Sequence, residues 1–191
     1  ELEPPLRRPR DRPRDGAFRA HHAGSTQVSA EGDYVGGKKH GVWRWWYANG
    51  QLQSEVTFVH GLREGHETGW HENGNKSAEG DNRGGHREGP WDFWYASGAF
   101  QQRYIYRQGK QHGEYVWNLE NGSPRARGQF SEGRRVGHWT WHGEPQHEKM
   151  TRGHDDLGRN HGEDAGWYPG GQLAYRRFYD HGKPVGVHET W

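Results

Sequence analysis

Seven G-x-x-x-G pairs recur along these 191 residues at a nearly constant interval. The first glycines are Gly37, Gly61, Gly85, Gly109, Gly133, Gly158 and Gly182, so successive steps are 24, 24, 24, 24, 25 and 24 residues. The second are Gly41, Gly65, Gly89, Gly113, Gly137, Gly162 and Gly186. Counted from the second glycine, all 11 tryptophans fall at +2, +4 or +5. A period of this length marks a repeat array, whose units cannot bury an apolar face alone and must stack on their neighbours.

Apolar residues make up only 29% of the chain, a value that by itself points to disorder. The net charge of +1 and the aromatic content of 14% argue otherwise, because each ring buries more area than an aliphatic side chain. A thin core built of rings is expected. There is no cysteine, which excludes disulfides and thiolate metal sites. No apolar run approaches the length of a membrane-spanning helix. The chain starts at Glu1 rather than Met, which agrees with a processed product and is compatible with export to a periplasmic or extracellular space.

Residues 1–25 stand apart, with prolines at 4, 5, 9 and 13 and six arginines against four acids. Those prolines favour extended chain over helix or central strand. The segment reads as a solvated leader or as an arm that orders along a partner, Arg7, Arg8, Arg10 and Arg12 being its contact candidates. The repeat array is expected over 26–191, with an incomplete opening unit before Gly41 and units starting near 41, 65, 89, 113, 137 and 162.

Within a unit such as residues 41–64, an aromatic run of about six residues meets a turn ending in glycine, then a second run and a glycine-bounded return. Asn49-Gly50, Asn73-Gly74 and Asn121-Gly122 are turn dipeptides because both residues tolerate positive φ. The unit is a β-hairpin and the fold class all-β: an elongated, twisted antiparallel array, about 58 Å long for six two-stranded units. Alternation puts Trp43, Trp45 and Tyr47 on one face, matched by Trp91, Phe93 and Tyr95. Arg44, Asp92 and Thr140 take the other, interrupted by Trp46, Trp70, Trp94 and Trp167. SAEGDYVGG at 29–37 nearly repeats as SAEGDNRGG at 77–85, so the ordered array starts before Gly41.

The pattern G-x-W-x-x-W-Y-x-N-G-Q-L, followed by a ring and G-x-x-x-G, resembles MORN repeats, in particular the bacterial variant of antitoxin-like MORN-repeat proteins. The resemblance covers roughly residues 26–191. It implies stacked hairpins without catalytic residues, serving as attachment modules for proteins or lipids.

The residues agree in offering no catalytic site. There is no G-x-S-x-G, and the G-x-x-x-G pairs lack the helix and Lys-Ser/Thr of a phosphate loop. No cofactor is implied. The 15 histidines raise a metal question. His40, His112 and His161 share the slot before the second glycine, yet residues one repeat apart lie about 10 Å apart, too far for one ion. The His- and Asp-rich stretch 153–164 has no EF-hand spacing and reads as a solvated, irregular loop, with an oxygen-rich cation site as the alternative; no metal ligand is assigned.

Trp46, Trp70, Trp94, Trp167 and Trp191 form an indole series with two readings: packing against the second strands, or a contact surface. Nucleic acid is excluded as a partner by the near-neutral charge. The expected function is a non-catalytic interaction scaffold or accessory subunit, docking a protein partner through its aromatic face and N-terminal arm. The alternatives are a glycan- or lipid-binding module using the indole series, and an antitoxin-like inhibitor of a toxin. Bare strand edges at the array ends also allow end-to-end self-association.

Overall fold

The computed structural model describes residues 15–144 and 147–191. These form one open antiparallel sheet. Its strands are β1 (Gly16–His21), β2 (Val28–Val35), β3 (Lys38–Trp46), β4 (Leu52–Val59), β5 (Leu62–Trp70), β6 (Lys76–Arg83), β7 (His86–Trp94) and β8 (Phe100–Arg107). There follow the short β9 (Lys110–Gln111), β10 (Gly113–Asn118), β11 (Pro124–Ser131), β12 (Arg134–Glu144), β13 (His147–His154), β14 (Asn160–Trp167), β15 (Leu173–Asp180) and β16 (Lys183–Thr190). Every strand pairs with its sequence neighbours, except that β9 and β10 share the place beside β8. The described residues contain no helix.

Both glycines of each pair have positive φ for distinct reasons. At the return turns His60-Gly61, Gln108-Gly109, Glu132-Gly133 and His181-Gly182, two consecutive residues sit in the left-handed region, with φ of 49° and 87° at the first. That is the two-residue hairpin geometry compatible with strand twist. The second glycine, such as Gly41 at φ 72°, lies where β3 bulges against β2: Asp33 pairs with His40 but Glu31 with Arg44. The single 25-residue step has a local cause. Between β13 and β14 the return is a longer loop, in which Gly158 N donates to Asp155 O at 2.9 Å.

Successive hairpins are tied at both ends. On one side, the amide of Gly61 donates to Lys39 O at 2.8 Å, that of Gly85 to Arg63 O at 2.9 Å and that of Gly109 to Arg87 O at 3.0 Å. On the other, Tyr47 Oη donates to Trp70 O at 2.9 Å and Tyr95 Oη to Asn118 O at 3.0 Å. His71 Nε2 reaches Trp94 O at 2.9 Å in the same way. These rungs span one repeat each and set its length.

The sheet begins earlier than the repeat pattern. Gly16–His21 was expected to belong to an extended leader, yet it pairs residue by residue with β2. The reason is Phe18, whose ring stacks on Trp43 at 5.4 Å and meets Tyr34 edge-on at 5.7 Å. His22 Nε2 then lies 3.0 Å from Trp46 O, the same rung that Tyr47 makes one unit later.

Candidate functional site

The two faces of the sheet differ in chemistry. One carries direct cross-strand ion pairs: Arg19–Glu31 at 3.0 Å, Arg44–Glu55 at 2.6 Å, Asp92–Arg103 at 2.5 Å and Glu163–Arg176 at 2.8 Å. Exposed pairs of this kind add little to stability and keep a sheet face in water.

The other face carries the rings, and it has a period of two units. Trp43, Trp91 and Trp139, 48 residues apart, are each 1% exposed. Each indole lies flat on a glycine of the preceding strand, Gly32, Gly80 or Gly128, where a Cβ would overlap the ring. The indole Nε1 donates to the next carbonyl along, Asp33 O at 3.0 Å, Asp81 O at 2.9 Å and Gln129 O at 3.1 Å. Outward from these sit the half-buried Trp45, Phe93 and Trp141. The rings gather in two clusters, one around Trp43, Val56 and Phe58, the other around Tyr115, Ala126 and Trp139. Burial, and then the hydrogen bond with Tyr104, push the Tyr115 phenol well above its ordinary range.

A cation covers each indole. Lys39 Nζ lies 4.3 Å from the Trp43 ring and 4.6 Å from Trp45. Arg87 Cζ lies 4.1 Å from Trp91 and 5.7 Å from Phe93. Arg135 Cζ lies 4.8 Å from Trp139 and 5.6 Å from Trp141. The bulge at the second glycine brings the side chain two residues before it over the ring two residues after it. Burial, followed by the neighbouring Arg63 charge, lowers the Lys39 ammonium from its ordinary value. Three cations at two-unit spacing, each attracted to a ring quadrupole, make one repeated surface motif. Neither this period nor the glycine beneath each indole was read from the sequence, although the identical SAEGD at 29–33 and 77–81 carried the signal.

The indole series singled out from sequence lies at the hairpin ends. Trp46, Trp70, Trp94 and Trp167 are half-buried, and Trp191 is 57% exposed. Trp94 packs edge-on against Phe100 at 6.3 Å, under Lys76 Nζ at 5.1 Å. Trp167 lies under Lys149 Nζ at 5.0 Å and joins His142 and Glu148 around an open cavity of about 610 Å³. Burial, then the Lys149 charge, lowers the His142 imidazole from its ordinary value. Arg7, Arg8, Arg10 and Arg12 lie outside the described residues.

The slot before the second glycine also has a structural task. Glu64 Oε2 accepts from Gly84 N at 2.7 Å and Glu88 Oε2 from Gln108 N at 2.8 Å, so this side chain caps the next return turn.

Fold and faces together define a β-hairpin repeat array with one ionic and one aromatic side. Residues 39–60, the hairpin of β3 and β4, match the family model of the MORN repeat variant. MORN repeats are commonly associated with binding proteins or membranes, and proteins built of them are generally non-catalytic scaffolds. No curated protein matches the chain.

Proposed function

We propose that this chain is a non-catalytic scaffold that docks a protein partner on its aromatic face. The observation behind this reading is the triad of Lys39, Arg87 and Arg135, each laid over rings rather than against a carboxylate. The partner it suits presents apolar side chains and carboxylates with a repeat of four strands, about 19 Å. Arg and aromatic groups side by side are the composition of interface cores. The N-terminal arm and the hairpin-end indoles, Trp46, Trp70 and Trp94, extend the contact in this reading. A toxin would be one such partner.

The test is charge reversal. Arg87→Glu with Arg135→Glu is expected to abolish the stoichiometric complex captured by the native chain, at unchanged circular dichroism, while Arg44→Glu on the ionic face leaves it intact. Retention of the complex by the double variant overturns the reading. So does saturable binding to anionic vesicles or polysaccharide with no protein partner, or a native assembly made only of end-to-end copies.

A further inference from the structure

We propose that His161, Asp180 and His181 form a binding site for a borderline divalent transition ion of the Zn²⁺ class. The three belong to neighbouring strands rather than to neighbouring repeats. The return turn after β15 places His181 at φ 46° and Gly182 at φ 89°, which turns His181 back toward His161 on β14. The two imidazole rings lie 4.7 Å apart.

Asp180 stands between them. Its Oδ1 lies 3.4 Å from His161 Nδ1 and 3.6 Å from His181 Nε2. All three ligand atoms fall within 4.8 Å of one another. Bonds of about 2.0 Å in a tetrahedral shell place ligand atoms about 3.3 Å apart, so two of the three edges are already near that length. Two imidazoles and one carboxylate suit Zn²⁺, Co²⁺ or Ni²⁺, whereas Ca²⁺ and Mg²⁺ need more oxygen ligands than the site offers. The remaining position is open to water.

The surroundings orient the ligands. Asp155 Oδ2 lies 2.8 Å from His181 Nδ1; a proton held there leaves the Nε2 lone pair facing Asp180. Asp155 is itself fixed, since its Oδ1 accepts from Leu157 N at 3.0 Å and Arg159 N at 2.9 Å. Arg159 Nη2 also lies 3.0 Å from His181 Nδ1, and since a guanidinium only donates, it competes with Asp155 for that atom; its Nε is paired with Asp155 Oδ2 at 2.7 Å, and ion binding selects the tautomer in which Asp155 holds the Nδ1 proton. His161 Nδ1 meets His181 N at 3.4 Å, a long contact that an ion would replace.

The molecule contains its own control. His40 and His60 occupy the equivalent positions five units earlier, with ring centres 5.4 Å apart, but Val59 stands where Asp180 does. The histidine pair alone lacks the anionic ligand.

The experiment uses tag-free full chain stripped with chelator, titrated with Zn²⁺ by calorimetry and with Co²⁺ by visible absorption. One ion is expected to bind with a dissociation constant near micromolar, with the ring signals of His161 and His181 shifting together in NMR. Asp180→Asn and His161→Gln should each weaken binding at least tenfold, His60→Gln should leave it unchanged, and Ca²⁺ should not compete. Absence of saturable binding at millimolar Zn²⁺ overturns the proposal. Binding that survives Asp180→Asn with His161→Gln, or that falls with His60→Gln, does so as well.

Discussion

Trp91 and Asp164 occupy the same place in units three repeats apart, and they fill it by opposite means. Trp91 lies on Gly80, 1% exposed, under Arg87. Asp164 is 2% exposed, and where Gly80 would be its preceding strand supplies Arg152, whose Nη2 donates to Asp164 Oδ2 at 3.1 Å. Tyr175 Oη donates to the other oxygen at 3.2 Å. The backbone register is of the same type in both places. The hairpin geometry therefore tolerates either content, provided that ring goes with glycine and carboxylate with arginine. The pairs are matched sets, and exchanging one member alone should fail.

The largest effect is expected at the indole. Trp91→Ala should lower unfolding stability by about 3–5 kcal/mol, because the emptied volume has no second layer to collapse into it. Gly80→Val should be similarly damaging, since its side chain needs the space the ring holds. Denaturant titration checks both, and a loss below about 1 kcal/mol would break the comparison.

At the ionic place, Asp164→Ala should cost about 2–3 kcal/mol, as Arg152 loses a charge-assisted hydrogen bond and Tyr175 its acceptor. The sharper version is a transplant. Asp164→Trp alone should lower the melting temperature, and adding Arg152→Gly should recover a good part of the loss. If the second change brings no recovery, glycine and indole are not a matched set.

The smallest effect concerns pH. The folded Tyr115 phenol is raised by burial, and Tyr175 is raised by burial and then by the Asp164 charge. A tyrosine raised on folding contributes stability that is present below its unfolded value of about 10 and is lost as the pH climbs through the folded one. Melting temperature should therefore fall above about pH 10, and Tyr115→Phe should flatten that decline. An unchanged slope in the variant would assign alkaline loss to other groups.

Much of this was legible in the chain. Asn49-Gly50 and Asn73-Gly74 announce the turns, although only the glycine of each takes positive φ; the asparagine acts through its side chain, Asn49 Oδ1 accepting from Gln51 N at 2.9 Å and Asn73 Oδ1 from Asn75 N at 3.1 Å. The alternation of Trp43, Trp45 and Tyr47 with Arg44 sorts the faces. The G-x-x-x-G spacing marks both the return and the bulge. Strand β1 was less visible because the arginine- and proline-rich residues before it dominate the composition of 1–25, while its own alternation is short. The candidate ion site was hidden for a different reason. His161 and His181 are 20 residues apart, less than one repeat; the β14–β15 hairpin, which pairs Gly162 with Tyr179, folds that distance, and the left-handed His181 completes the ring contact.

The sequence alone determined the hairpin, its period and the separation of rings from charges, since all three follow from local φ preference and alternation along one strand. The tertiary structure decided which residues meet across strands. It set Trp43 on Gly32, Lys39 over Trp43, and Asp164 against Arg152. Those contacts depend on bulges that shift the register by one or two residues, and a shift of that size changes every partner on the face without altering the repeat that produced it.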